Sequence, residues 1–363
     1  MNRLVILAPN WLGDAVMALP AIADVRRAVP AASITVAARA SIAPLFAMAP
    51  DVDETLTLGG AEAEALAARR FDAALLLPNS TRAAIVACRA GVAERWGYRT
   101  GWRGALLTRA IPAPRGVHQI EYYQHLVRAL GFPSGRSEPR VTVTERARDA
   151  GRTLLAESGW NGHTPLVALA PGAAYGGAKR WPPGYFAELA DGLAADGVQC
   201  VMVGTAADGG TAHDVERSAK ASRPIVSLIG RTDLPTLAGV FDNCRALVTN
   251  DSGAMHLAAA VGIAVTAMFG PTNEQATSPR ILNPEPRIPN PESRTSNPDR
   301  RTPNPDPRTP NPDLRTPNPE SRITILTHSV WCRPCMLREC PLDHRCMRGI
   351  EVATVLEAAR SSL

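Results

Sequence analysis

Short apolar runs alternate with stretches of helical period along this chain, and the alternation occurs twice. The first series places strands at residues 4–8, 34–36, 55–58, 74–77 and 95–98. A helix over 118–130 comes next, with Ile120, Tyr123, Leu126, Val127 and Leu130 on one face. The second series places strands at 166–170, 199–203, 225–228, 246–248 and 264–269. Such alternation builds parallel sheets, because parallel neighbours need a crossover and a helix is the usual one. Two series therefore predict two α/β domains. The polar, glycine-containing stretch ESGWNGHT at 157–164 separates them, giving domains over 1–158 and 159–363. Ligands of such sheets bind outside the C-terminal ends of the strands. Two sheets facing one another then predict a site in the cleft between them.

The 363 residues suffice for two cores. No apolar run approaches the roughly 18 residues of a membrane span. The run at 4–8 is too short for a secretory signal, and Asp14 interrupts the apolar residues beyond it. These features predict a cytoplasmic protein, free to touch a membrane surface. Between Arg82 and Arg140 stand ten arginines, three acids and no lysine. That excess of positive charge is either a solvated basic face or a surface for an anionic partner. It lacks the interleaved aromatics of a recognisable RNA motif, which argues against nucleic acid. Only Lys179 and Lys220 are lysines among 39 basic residues, so each stands out against a strong bias toward arginine.

Two segments break the alternation. Residues 280–321 read as six seven-residue units, each carrying Asn-Pro, and hold 12 of the 32 prolines. Proline at that spacing forbids helix and sheet ladders, and almost nothing apolar is available to bury. The stretch 280–322 is accordingly predicted as a disordered insertion. Beyond a predicted strand at 323–326, the segment 331–347 places Cys332, Cys335, Cys340 and Cys346 in a C-x2-C-x4-C-x5-C pattern, with His344 beside them. In a cytoplasmic chain this pattern suggests a structural zinc before disulfides, or else free thiols. A closing helix is predicted over 350–359.

Three loops carry candidate chemistry. The first strand runs into APNWLGDAVMALP, where a nucleotide-binding fold would place its glycine-rich phosphate grip. This loop has the single glycine Gly13, followed by Asp14. A carboxylate there is either a helix cap or a general base. The strand at 166–170 runs into PGAAYGGAKRWPPG. Gly172, Gly176 and Gly177 let backbone approach a ligand, Lys179 and Arg180 add positive charge, and Pro182 or Pro183 opens the next helix. The set suits a diphosphate; the plainer reading is a flexible basic loop. The strand at 246–248 runs into NDSGAMH, which puts Ser252 and Gly253 at a helix start whose free N–H groups favour an anion. Asp251 either caps that helix or meets the ligand. His256 lies one turn further in, and either packs under the loop or points into the same site. An Asp-Val-Asp at 51–53 has the form of a metal-binding DxD, in a turn context after Ala49-Pro50.

Four stretches in order, APNWLGDAVMALPAI, LLLPNSTRAAIV, LAPGAAYGGAKRWPPGYFAEL and TNDSGAMHLAAAVG, resemble successive signatures of glycosyltransferase family 9, the heptosyltransferases. The resemblance covers nearly all of the chain outside the proline tract. The Pro-Asn-Ser at 78–80 and GAxxGxAKRWP favour the branch that adds the second inner-core heptose. The resemblance implies the GT-B fold, two Rossmann-like βαβ domains facing a central cleft. It implies inverting transfer of L-glycero-D-manno-heptose from ADP-heptose to the first heptose of the lipopolysaccharide inner core. The acceptor is anionic and stands at the inner-membrane surface. A monomer is expected, with no cofactor or metal required for catalysis. By matching positions, Asp14 resembles the catalytic base, and Gly172, Lys179, Asp251, Ser252, Gly253 and His256 the donor site. Asn79, Ser80, Arg82, Arg99 and Arg103 are candidates to contact the acceptor. The alternatives are a relative with another acceptor, a nucleotide-sugar epimerase, and a basic zinc-containing nucleic-acid module.

Overall fold

The computed structural model of the protein describes residues 1–220, 224–281 and 322–363. The proline tract, which the sequence predicts to be disordered, lies outside the described residues from 282 to 321.

The first lobe begins with β1 (Arg3–Leu7), α1 (Leu12–Met17), α2 (Leu19–Ala28), β2 (Ser33–Arg39) and α3 (Ala43–Phe46). It continues with β3 (Glu54–Leu58), α4 (Glu62–Ala67), β4 (Ala73–Leu76), α5 (Thr81–Arg89), β5 (Glu94–Tyr98), β6 (Arg109–Ile111) and α6 (Gln119–Ala129). Next come α7 (Glu145–Glu157), β7 (Leu166–Ala170), α8 (Pro183–Ala195), β8 (Gln199–Met202), α9 (Gly209–Ser218) and β9 (Val226–Ser227). The remainder comprises α10 (Leu234–Asp242), β10 (Ala246–Asn250), α11 (Gly253–Val261), β11 (Ala264–Phe269), α12 (Glu274–Thr277), β12 (Ile323–Thr327), α13 (Arg345–Arg348) and α14 (Val352–Arg360).

These strands make two six-stranded sheets, ordered β3-β2-β1-β4-β5-β6 and β12-β11-β10-β7-β8-β9. The pairings are parallel, with Leu4 opposite Ile34 and Ala73, and Ala246 opposite Ala264 and Val167. Central strands in parallel sheets are covered on both faces. That is why β7 reads as an unbroken apolar run, and β1 after Arg3 likewise, while β11 is buried along its whole length even at Thr266. Counted from its own first strand, each sheet has the same order, with the reversal beside that strand. One apolar cluster, including Ile22, Phe46, Leu247 and Leu257, runs from one lobe into the other, so the lobes are packed together.

The two α/β series stand as predicted. Strand β6 and helices α7, α12 and α13 were not anticipated. Strand β6 is only three residues long, too short for a periodic signal. Helix α7 buries only Ala147, Gly151 and Leu155, a thin apolar stripe. Its partner explains the small residues: a Cβ on Gly151 would collide with the backbone of Gly239 in α10, and one on Gly239 with the Ala147 carbonyl. The segment over 157–164 thus comes after a helix that packs on the second lobe. Among the described residues no helix is long and apolar enough to cross a membrane.

Candidate active site

A crevice opens where strand order reverses, because loops from adjacent strands there leave on opposite faces of the sheet. The reversals lie between β1 and β4 in one sheet and between β7 and β10 in the other. The loops after β1, β7 and β10 carry Asp14, the Gly172–Lys179 stretch and Asp251–Gly253. They meet around a cavity of about 550 Å³ lined by Asp14, Gly172, Lys179, Asp251, Ser252, Gly253 and His256. The volume is in the range of a pocket for a small organic ligand. The residues predicted for catalysis and for the donor thus line one cavity, built from both lobes.

The lobes approach closely beside Asp14. Helix α1 packs against α11, and a glycine on each permits it. A Cβ on Gly13 would stand 2.9 Å from His256 Cδ2, and one on Gly253 would stand 2.9 Å from Leu12 Cβ. Neither glycine is needed for an unusual backbone angle; both are needed for space. The crossing brings Leu12 and Gly13, just before Asp14, against the first turn of α11. Burial pushes the Asp14 carboxyl above the ordinary carboxylate range, and the Lys179 ammonium partly opposes that shift. His256 has only 4 % of its surface exposed. Desolvation pushes its imidazole down to about 4, with the neighbouring Asp251 pulling the other way. It is neutral near pH 7.

Lys179 and Asp251 are joined across the cavity wall, Nζ to Oδ2 at 2.5 Å. The Thr272 hydroxyl donates to the same oxygen at 2.6 Å, and the Lys179 ammonium lies 4.7 Å from the centre of the Tyr175 ring. Asn250 ties the two loops behind them. Its Oδ1 accepts from the Trp181 N–H at 3.0 Å, and its Nδ2 donates to the Pro171 carbonyl at 2.8 Å. Trp181 is fully buried and donates from Nε1 to the Ile350 carbonyl at 2.9 Å. Gly172 is there because a Cβ would run into the Asp208 carboxylate, which itself accepts from the Thr205 N–H and hydroxyl, each at 2.9 Å. Ser252 starts α11 in extended conformation with no side-chain cap, so the first N–H groups of that helix have no side-chain acceptor from it. Its hydroxyl meets that of Thr249 at 3.1 Å.

The acceptor-side candidates stand elsewhere. Asn79 and Ser80 lie at the C-terminal end of β4, on the cleft-facing edge of the first sheet, outside the cavity lining. Ser80 caps α5 by accepting from the Ala83 N–H at 3.3 Å, and Asn79 Nδ2 donates to the Tyr122 hydroxyl at 2.8 Å. Arg82 pairs with Glu62 on α4, and Arg99 is exposed beyond β5. Arg103 departs from its expected place on the surface. It is fully buried, and its Nη1 donates to the carbonyls of Pro78 and Ser80, so it holds the loop from behind. Among the described residues its Nε and Nη2 are buried without a partner, and desolvation holds its pKa below the ordinary value.

The Asp-Val-Asp is tied up in the fold: Asp53 accepts from Arg26 and from the Ile34 N–H. Cys346 is buried, while Cys332, Cys335 and Cys340 are partly exposed. Among the described residues, no three His, Cys, Asp or Glu side chains gather as a metal-holding group. Sequence reasoning passed over Asn250, Trp181, Tyr175, Thr272 and Met336. Asn250 and Tyr175 had a signal, since they adjoin the motifs already singled out. Met336 had none, because its place depends on chain that returns from far along the sequence, and Thr272 reaches Asp251 only through the pairing of β11 beside β10.

A family model described as glycosyltransferase family 9 (heptosyltransferase) matches residues 61–298. The lipopolysaccharide heptosyltransferase 2 of Escherichia coli K12 is 30% identical over 299 residues, covering 76% of this chain and 85% of that protein. Its counterpart from Salmonella typhimurium LT2 is 29% identical over the same shares. Among solved structures, E. coli ADP-heptose lps heptosyltransferase II superposes with a TM-score of 0.78 at 25% identity, over 100% of this chain and 98% of that one.

Proposed function

The chain belongs to glycosyltransferase family 9, the heptosyltransferases, and from that premise we propose that it moves L-glycero-D-manno-heptose from ADP-heptose to the first heptose of the lipopolysaccharide inner core. Its activity is that of a heptosyltransferase in lipopolysaccharide core biosynthesis. The observation that carries the finer reading is one cavity with a raised carboxyl from the first lobe, and a lysine and a helix N-terminus from the second.

Asp14 is the general base. An acceptor hydroxyl attacks the anomeric carbon as Asp14 takes its proton, and the bond from that carbon to the diphosphate oxygen breaks. The electron pair leaves on ADP, the anomeric centre inverts, and the proton later passes to solvent. Charge grows on the diphosphate during the step, so groups fixed near it before the reaction stabilise the transition state. Lys179 and the N–H groups at the start of α11 are those groups. Lys179 now pairs with Asp251; a diphosphate, carrying more charge, competes for the same ammonium. The apolar wall at Val203, Leu234 and Leu237 suits the flat face of an adenine. Because the acceptor is anchored in lipid, the enzyme acts at the membrane surface, and the basic stretch 82–140 favours an acceptor that bears negative charge.

The test is turnover of purified ADP-heptose with defined core acceptors. Transfer to an acceptor ending in one heptose, and none to an acceptor lacking heptose, is the expected result. Transfer only to the heptose-free acceptor, or only to a longer core, overturns the acceptor assignment. Conversion of the donor with no acceptor present would indicate an epimerase.

A further inference from the structure

The cysteine-bearing segment 331–347, whose Met336 lines the cavity, touches both walls of the donor side. On one wall, the Arg338 carbonyl accepts from the Ala178 N–H at 2.9 Å. Glu339 Oε1 accepts from the Gly177 N–H at 3.1 Å, and the Met336 carbonyl accepts from the Tyr175 hydroxyl at 2.8 Å. On the other wall, the Met336 N–H donates to the Pro271 carbonyl at 2.8 Å. Arg333 Nε donates to the Gly270 carbonyl at 2.8 Å, and its Nη2 pairs with Glu274 at 2.5 Å. Glycines leave room on both sides. A Cβ on Gly176 would collide with the Arg338 carbonyl, and one on Gly270 with Met347. The two walls extend from β7 and β11, which are not neighbours, since β10 lies between them. The segment therefore bridges the C-terminal edge of three strands.

We propose that residues 331–347 form a clasp that positions the Lys179 loop for the leaving diphosphate, with Glu339 and Arg333 as its two side-chain grips. The proposal rests on the reading of this cavity as the donor site. The reason is local. The loop after β7 holds Gly172, Gly176 and Gly177, so its own backbone does little to restrict it. The bonds received at Gly177 and Ala178 fix the two residues directly before Lys179. When only a fraction of molecules has the loop in its competent form, apparent affinity falls by that fraction. The loss is then in donor binding; once donor is bound, the chemical step proceeds as before. Glu339 and Arg333 are positioning residues: Glu339 holds the loop at Gly177, Arg333 anchors the segment to the β11 side, and neither acts on the substrate.

The experiment measures ADP affinity by titration calorimetry and donor KM and kcat, in the full chain. Glu339→Ala and Arg333→Ala are each expected to weaken ADP binding and raise donor KM by about 5–10-fold, as for a loop competent in roughly a tenth to a fifth of molecules, with kcat close to that of the parent. Glu339→Gln should recover affinity, since an amide oxygen accepts the same bond. Arg345→Ala breaks a pair with Asp343 inside the segment and should leave affinity unchanged. Parental ADP binding in both grip variants overturns the clasp, as does an equal loss in Arg345→Ala, which would mark a general effect on folding. A parent chain that binds no ADP overturns the donor reading and the clasp with it.

Discussion

In the role of general base proposed for it, Asp14 combines two demands that oppose each other. A base must be ionised to work, and burial disfavours the ionised form. Desolvation raises its pKa, which makes it a better proton acceptor once ionised. Asp14→Asn is expected to cut kcat by roughly 10²–10⁴-fold, the usual worth of a positioned general base, while calorimetry finds ADP binding intact. The acid limb of kcat/KM should lie above the ordinary carboxylate range, with rate rising as pH rises through it. The stability effect has the opposite sign. A folded pKa above the unfolded one means that ionising Asp14 costs stability, so the cost is present at neutral pH and absent below the unfolded value. Thermal melting should therefore show Asp14→Asn more stable than the parent at pH 7, with the gap closing as pH falls into the carboxylate range. His256, at about 4, stays neutral in the folded enzyme between pH 5 and 8. Lys179→Ala should lower kcat/KM by about 100-fold or more, the scale of one lost group that stabilises developing charge; steady-state kinetics with varied donor checks it. Asp14, Lys179 and His256 were legible as candidates because each lies just beyond an apolar run, and the family resemblance chose between their plainer and functional readings. Asn250 was not read as a strut, because its bonds run to residues about 70 to 80 positions away.

At the scale of elements, close helix crossings decide where groups stand. Adding a methyl to Gly253 in α11 drives it into Leu12 at the root of that side chain, where rotation gives no relief. Gly253→Ala is expected to cost about 1–3 kcal/mol, typical of overpacking, and to reduce kcat as well, because α1 carries Asp14. Urea titration and steady-state kinetics together check this. The sequence suggested glycine for an anion site at this position. It did not show that the glycine also serves an opposing helix, since periodicity within one helix says nothing about its partner. Helix α7 teaches the same lesson: small residues selected by α10 erase the apolar stripe by which a helix is recognised. The element boundary that was read well is the one set by proline, at Pro183; the Ser80 cap of α5 was not anticipated.

For the whole molecule, the two α/β series were enough to predict two parallel sheets, because alternation alone demands crossovers. The contribution of 331–347 to the donor wall was not legible, since it arises from long-range pairing that depends on the insertion of β12 beside β11. That pairing bears on the proline tract. Val265 donates to the Arg322 carbonyl and pairs with Ile323, so the chain after the tract is anchored by its own sheet register. Replacing 284–319 with a Gly/Ser linker of about a dozen residues should leave the melting temperature and donor kinetics unchanged. A soluble variant with lowered melting temperature or lost turnover would show that the tract takes part. The crossing of α1 and α11 has a mechanical consequence. A turn of one lobe against the other about that tight contact moves each atom in proportion to its distance from the axis. Were the lobes to turn about it, the outer lips of the crevice would travel further than Asp14, whose neighbour Gly13 sits in the contact itself. Widening the crevice would then leave the aim of the proposed proton acceptor nearly unchanged.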